Sequence, residues 1–403
     1  MGRLVLRSVG RLFTGTDAGA ISNAVVAVRD GLIAYAGPAD SFDEGAFGEG
    51  AFDGAEEVDL AGALVTPGLI DAHSHPVYGG NRFAEIAMRS EGASYSEIAA
   101  AGGGIASTVK ATRATPAHDL EEAPRARLKT WLAGGATTIE AKTGYNLDEA
   151  GELAAVGLLA KLAAEVELPS VEVTYLAGHA VGPEFAGDPD GYIDAAATWC
   201  SGAQRAGARH ADVFCDAGYF TVGQSRRLLT AAARAGLLPR IHADELARTG
   251  GSMLAAELGC VSADHLLLID DGDARALAAA GVVATLAPVT ALAMGQSPPV
   301  KVLEQAGATI ALGSDHNPGT CGTTSMSLVV ALAVAELGLS VERALTAATA
   351  GGAASLRLTD RGRIATGLRA DLVAWDADHE GAFAWSYGLA PLAIWKGGDR
   401  LAL

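Results

Sequence analysis

Eight short, continuous apolar runs, each followed by a stretch of helical length rich in Ala and Leu, dominate the middle of this chain. The runs fall near residues 69–73, 137–142, 171–176, 211–215, 239–243, 262–266, 282–287 and 309–314, with helical stretches such as 147–165, 224–235 and 270–280 between them. A strand exposed on one face alternates apolar with polar residues, whereas a strand covered on both faces reads as an unbroken apolar run. Strand–helix alternation over roughly 250 residues predicts an α/β fold, a (β/α)8 TIM barrel, whose chemistry belongs at the carboxyl ends of its strands.

The two ends of the chain read differently. Residues 4–9, 24–29 and 32–36 have strand character, with Asp30-Gly31 as a hairpin turn, and so do residues 372–375. We expect a composite β-sandwich domain from residues 1–66 and 363–403 beside a catalytic barrel over residues 67–362. A loop rich in Gly and acidic residues is expected at 40–57.

Composition narrows the function. Lys and Arg number 29 against 47 Asp and Glu, a net charge of −18, so there is no basic stripe to displace counterions from nucleic acid. Half the residues are hydrophobic and 19% are charged, which argues for a large core and against disorder. Cys200, Cys215, Cys260 and Cys321 lie far apart and read as reduced thiols of a cytoplasmic protein. Arg3, Arg7 and Arg11 interrupt any signal-peptide core. Residues 276–300 carry no charge and are long enough for a membrane span. Their small residues, with Pro288, Pro298 and Pro299, favour a buried helix followed by a buried strand.

The polar residues that end the runs point to the chemistry. The first ends in Asp71-Ala72-His73-Ser74-His75, the third in Ala177-Gly178-His179 and the fifth in Ile241-His242-Ala243-Asp244-Glu245. The sixth ends in Asp264-His265, and the eighth in Ser314-Asp315-His316-Asn317. Six of the nine histidines thus gather at five strand ends on one face. His73 and His75, two apart on a strand, face the same way. Three neutral imidazoles and a carboxylate suit a divalent ion with one position open for water, whose pKa falls from about 15.7 towards ~7.

Each residue alone has a plainer explanation. A His-x-His occurs in many unrelated chains, His242 or His265 could be a hydrogen-bonded core histidine, and Asp315 could cap a helix after Gly319. Barrel packing gives no reason to collect imidazoles at strand ends, so their joint placement favours metal. His118, His210 and His379 lie off the strand ends and read as surface or structural. Two bridged ions usually need a carboxylated lysine at the end of strand four, which here ends Phe214-Cys215-Asp216. Lys142 ends strand two and reads as an ion-pair partner, so one ion is expected.

Several motifs together carry a resemblance. They are Pro67 to His75, Gly79-Gly80-Asn81-Arg82, Gly102-Gly103-Gly104-Ile105, Glu140-Ala141-Lys142-Thr143-Gly144-Tyr145, Asp212 to Asp216, Ile241 to Glu245, Ser262 to His265, and Ser314 to Gly319. In this order they resemble the amidohydrolase superfamily and, within it, the imidazolonepropionase family. The resemblance implies a barrel with a β-sandwich from both termini, a homodimer, and one Zn2+ or Fe3+ per subunit. It also implies hydrolysis of 4-imidazolone-5-propanoate to N-formimino-L-glutamate in histidine degradation. By the same resemblance the metal ligands are His73, His75, His242 and Asp315. Substrate contacts are Arg82, Tyr95, Tyr145, His179, Glu245, Asn317, Gly319 and Thr320, with catalysis by Asp315, Glu245 and His265. In that scheme hydroxide on the metal attacks the ring carbonyl, Asp315 shuttles the proton, and Arg82 binds the propionate carboxylate. His316 stands where the family more often has an aromatic such as Phe, and is expected to add an imidazole beside the metal. Another amidohydrolase, acting on a related cyclic amide or deaminating a heterocycle, shares the metal motifs, and ammonia release would distinguish a deaminase. A barrel that only binds metal would not require Glu245, His265 and Asp315 together.

Overall fold

Residue Gly68 alone separates two sheets of different construction in the computed structural model, which describes residues 3–16, 19–93, 97–98 and 101–402. The chain opens with β1 (Leu4–Phe13), β2 (Ala20–Arg29), β3 (Leu32–Pro38), β4 (Glu56–Asp59) and β5 (Leu64–Pro67). Then follow β6 (Leu69–Asp71), β7 (Ala136–Lys142), β8 (Ser170–Gly178), β9 (His210–Cys215), β10 (Leu238–Ala243), β11 (Ser262–His265), β12 (Val283–Leu286) and β13 (Ile310–Leu312). The chain ends with β14 (Leu372–Trp375), β15 (Pro391–Lys396) and β16 (Asp399–Leu401).

Strands β6 to β13 lie side by side in chain order, all parallel. Just past β6 and β13 the first and last units meet: Ala72 N–H donates to Leu312 O at 3.1 Å, Asp315 N–H to His73 O at 2.9 Å, and His75 N–H to His316 O at 2.8 Å. These bonds close the barrel. Gly313 is needed at the seam, since a Cβ there would lie 2.6 Å from the Cβ of His73. Every residue of β7, β9, β11 and β12 is buried, which is why these strands read as unbroken runs with polar residues only where the interior uses them.

The helices between strands start at side-chain caps. Asp148 caps Glu149–Ala163, while Thr221 with Gln224 and Asp270 with Asp273 form capping boxes for Val222–Arg234 and Asp271–Ala280. The uncharged stretch 276–300 resolves into the end of one helix, strand β12 and the short helix Pro288–Ala293. Among the described residues no helix is long and apolar enough to cross a membrane. Ser325, not Asp315, caps Met326–Ala335, the helix after Gly319.

The terminal strands share a second sheet, ordered β16-β15-β14-β5-β1-β2-β3 with β4 beside β1. One apolar cluster joins Ile33 of β3 to Trp395 of β15, although four strands lie between them in the sheet. The sheet is therefore folded over its own core. Acid-rich residues 40–57 are more ordered than a plain loop, because Phe42, Phe47 and Phe52 pack with Tyr35. Hydrogen-bonded Trp375 Nε1 and Thr66 Oγ1, 2.8 Å apart, pin β5 just before it becomes β6, and so fix where His73 emerges.

Candidate active site and metal centre

Backbone strain marks the carboxyl end of the barrel. Asp244, His265, Leu266 and Asp315 have φ of 51°, 74°, 56° and 49°, in the left-handed region that non-glycine residues seldom occupy. Asp244 and Leu266 directly follow a barrel strand, His265 ends one and Asp315 lies three residues past β13, and they turn the chain across the mouth.

There, His73 Nε2 and His75 Nε2 lie 3.2 Å apart, and Asp315 Oδ1 is 3.5 Å from the first and 3.4 Å from the second. One nitrogen each of His73, His75 and His242 falls within 4.8 Å of the others. Two donors bonded to one tetrahedral ion at about 2.0–2.1 Å are themselves roughly 3.3–3.4 Å apart. The three short distances match that edge length. All four residues are buried, and His242 Nε2 has no hydrogen-bond partner among the described residues. A buried lone pair without a partner is costly, and a cation supplies one. Burial, with the nearby Lys142 charge, pushes the His73 imidazole well below its ordinary pKa, and burial lowers His75 likewise, so both are neutral donors. Burial alone would raise Asp315, but the hydrogen bond from His75 and the His73 and His265 rings outweigh it and hold the carboxyl well below the usual range.

Beneath the imidazoles lies a layer of buried charge. His73 Nδ1 is 2.6 Å from Asp264 Oδ2, which leaves Nε2 as the free lone pair. His242 Nδ1 lies 3.1 Å from Asp212 Oδ2, an ion-pair distance whose angle falls outside a hydrogen bond. Lys142 Nζ joins both carboxylates, 2.7 Å from Asp212 and 3.4 Å from Asp264, and reaches Glu140 at 2.8 Å. Arg240 Nη2 sits 3.2 Å from Asp264 and donates to Ala72 O. Three carboxylates face two cations, an excess of negative charge below the site that favours a cation above it. Lys142 is thus an ion-pair residue, as expected, but one that bridges three carboxylates. Asp212, Asp264 and Arg240 were not singled out as site residues from sequence. Their signal was available: charged residues inside apolar strands, with Asp212 on the same alternate face as Phe214, Arg240 on that of His242, and Asp264 next to His265.

A small pocket opens at the mouth, and its walls include His75, Arg82, Tyr145, His179, His242, Glu245, His265, Asp315, Asn317 and Thr320. Arg82 is buried, with Nε 3.6 Å from Glu85 Oε2. Its guanidinium occupies the space a side chain at residue 319 would fill, 1.2 Å from an ideal Cβ, so Gly319 supports Arg82 from behind and is not itself part of the pocket wall. Asn317 Oδ1 accepts from Gly319 N and Thr320 N, while Nδ2 donates to Asp315 O and Thr320 Oγ1. His179 Nδ1 lies 3.1 Å from Gly144 O and its ring stacks on His75, centroids 5.1 Å apart. Glu245 is held in place by Asp216, which accepts the N–H groups of Glu245, Leu246 and Ala247. Burial, then the Asp315 and Asp216 charges, push the Glu245 carboxyl well above its ordinary pKa. His265, with Nδ1 3.6 Å from Glu245, is pushed down to about 4 by burial. Tyr95 lies outside the described residues. Ile105, Phe214 and Leu246 complete the walls and were not anticipated. The Gly102-Gly103-Gly104-Ile105 motif delivers Ile105 at the start of a helix.

His316 does not add an imidazole to the pocket. Asp315 and Asn317 line the pocket while His316, after the left-handed turn at Asp315, packs away from it. Its Nε2 meets Tyr78 Oη at 3.0 Å, Nδ1 meets Thr323 O at 3.2 Å, and the ring lies edge-on to Trp131. His118 and His379 are exposed, and His210 is buried at the opposite end of β9.

A closed parallel barrel with imidazoles, carboxylates and a buried guanidinium at its carboxyl mouth is the arrangement of a barrel hydrolase. The model of the amidohydrolase family matches residues 64–400, and the chain belongs to that family, in its imidazolonepropionase branch. It is 42% identical over 374 residues to the imidazolonepropionase of Anaeromyxobacter dehalogenans (strain 2CP-1), covering 92% of this chain and 88% of that one. It is also 42% identical over 381 residues to the imidazolonepropionase of Sphingopyxis alaskensis, covering 94% and 92%. Among solved structures, N-isopropylammelide isopropylaminohydrolase from Burkholderia multivorans superposes with a TM-score of 0.75 at 20% identity, over 99% of this chain and 98% of that one. An adenosine deaminase from Xanthomonas campestris with bound Zn gives 0.70 at 18% identity, over 99% and 92%. These two likenesses show the fold alone.

Proposed function

We propose that this chain hydrolyses the ring C–N bond of 4-imidazolone-5-propanoate to give N-formimino-L-glutamate in histidine degradation, using one Zn2+ or Fe3+ per subunit. The observation that carries the reading is a juxtaposition: a buried guanidinium, Arg82, lines the same small pocket as His75, His242 and Asp315. The substrate has a carboxylate and a cyclic amide, and the pocket has a cation for one and a hydrolytic centre for the other. The sequence relatives that carry the imidazolonepropionase name support the same substrate. Three imidazoles and a carboxylate fit Zn2+ or Fe3+ as donors. When bound, such an ion supplies Lewis acidity and lowers the pKa of its water to about 7.

The chain's own residues divide the remaining work. Arg82 receives the propionate carboxylate in a bidentate pair, strong where solvent is excluded. The net charge of −18 does not oppose this, because charges beyond about 8–10 Å are screened. Asp315, ionised and with Oδ1 turned to the ligand nitrogens, accepts the proton of the attacking water and returns it to the leaving ring nitrogen. Glu245 holds its own proton and hydrogen-bonds a ring heteroatom. Neutral His265 donates to the oxygen that gains charge. Tyr145 and His179 fix the edge of the ring, and Asn317 and Thr320 line the product side.

The same reading takes residues 67–362 as the catalytic barrel and residues 1–66 with 363–403 as one companion domain. It takes the enzyme as a cytoplasmic homodimer, supported by four buried free thiols and by the family resemblance. The test follows loss of imidazolonepropionate absorbance, with formiminoglutamate and ammonia both quantified. Turnover should yield formiminoglutamate without ammonia, stop with chelator, and return with Zn2+ or Fe3+. Arg82→Gln should raise KM roughly 10–100-fold, the worth of a charge-assisted pair, with a smaller change in kcat. A metal-loaded protein that leaves the compound intact would overturn the substrate assignment.

A further inference from the structure

We infer that Thr290 is a positioning residue whose hydroxyl decides which oxygen of Asp315 faces the ligand imidazoles. The inference rests on the metal-centred reading above and adds a residue to it. Thr290 lies on the short helix Pro288–Ala293, directly after β12, and is 1% exposed. Its Oγ1 is 2.6 Å from Asp315 Oδ2, while Asp315 Oδ1 lies on the side of His73 Nε2 and His75 Nε2.

The direction of each hydrogen bond follows from proton inventory. An ionised carboxylate only accepts, so the one hydroxyl proton of Thr290 goes to Asp315. Thr290 Oγ1 then accepts from Thr320 Oγ1, 3.3 Å away. Thr320 Oγ1 in turn accepts from Asn317 Nδ2 at 2.8 Å. The orientation of the Asn317 amide is fixed because its Oδ1 already accepts from the N–H groups of Gly319 and Thr320. A single directed chain therefore runs Asn317 to Thr320 to Thr290 to Asp315 Oδ2.

The terminal torsion of an aspartate is broad, so an unanchored carboxylate can turn and present either oxygen or both. Threonine suits the anchoring task, since its β-branch restricts χ1. With Oδ2 held, Oδ1 alone remains for the centre. Asn317 and Thr320, which the resemblance places at the substrate, also support the base through this chain.

Thr290→Val keeps the shape and removes the hydroxyl, and Thr290→Ser keeps the hydroxyl and removes the methyl. Three quantities are measured on parent and variants: release of bound Zn2+ to a chelator, kcat and KM separately, and the melting temperature of the metal-free protein. Thr290→Val should release metal about 10–100-fold faster and lose kcat by a similar factor, the usual cost of removing a partner of a ligand. Its KM and metal-free melting temperature should stay close to the parent, with Thr290→Ser close to the parent throughout. Parent-like metal release and kcat in Thr290→Val would overturn the inference. So would a Thr290→Ser as impaired as Thr290→Val, or a loss confined to the melting temperature, since either marks packing. A parent that neither retains metal nor turns over would overturn the proposed function itself, and this inference with it.

Discussion

The imidazoles at the barrel mouth and the charges directly beneath them are both buried, yet they are completed in different ways. In the lower layer the ammonium of Lys142 meets Asp212, Glu140 and Asp264, and Arg240 meets Asp264 and two backbone carbonyls. In the upper layer His75 Nδ1, His242 Nε2 and His265 Nε2 have no hydrogen-bond partner among the described residues. The lower groups are met by opposite charges, even Arg240 Nε, which has no hydrogen-bond partner among the described residues but lies 3.7 Å from Glu140, whereas the upper nitrogens gather around one pocket and are open to a ligand. The lower layer makes the upper one possible by fixing His73 and His242 from behind.

The largest effect should come from the upper layer. Asp315→Asn keeps the shape but removes the negative charge of the proposed ligand and base, and should cut kcat by roughly 10²–10⁴-fold with little change in unfolding free energy. Steady-state kinetics and denaturant titration on the same protein check this. A large loss of stability with activity retained would reverse the roles of the two layers.

Lys142→Met should show the opposite balance. Removing one partner of a buried charge cluster costs about 3–5 kcal/mol, because the carboxylates left behind repel and stay desolvated. A urea midpoint far below that of the parent is expected, with metal affinity weakened second because Asp212 and Asp264 lose their common partner. An unchanged midpoint would break the comparison.

The smallest effect tests the neighbouring region behind the pocket. His316 is pushed down to about 4, by burial first and then by Arg127, so it is neutral when folded. The unfolded chain takes up that proton near pH 6.5. Between about pH 6.5 and 4 the unfolded state binds more protons, so stability rises with pH and is lost on acidification through that window. His316→Phe removes this component. Its unfolding free energy should fall less steeply between those pH values, by up to about one proton, with activity at neutral pH near that of the parent. A change in substrate preference would restore His316 to the pocket.

Much of this was legible from order along the chain. The eight runs became β6 to β13, and His73, His75, His179, His242, His265 and Asp315 all came to one mouth. The face of His316 was not legible, because the left-handed turn at Asp315 breaks the simple alternation of an extended strand. Nor was Thr290. Nothing in Ala287-Pro288-Val289-Thr290 marks its hydroxyl, whose partner lies 25 residues away on another strand end.

The sequence alone determined what local periodicity can carry. Runs of uninterrupted apolar residues required strands covered on both faces, and residues placed at the ends of those runs had to arrive together once the barrel closed. Only the tertiary structure decided which atom meets which. His73 Nδ1 is matched to Asp264 across 191 residues, and Ser314 N–H to Asp71 across 243. Such pairs depend on how much each strand twists and on the left-handed turns at Asp244, His265 and Asp315. Hydrogen bonds act over a few tenths of an ångström and tens of degrees. No spacing in the chain is that sharp, and closure of the barrel supplies the difference.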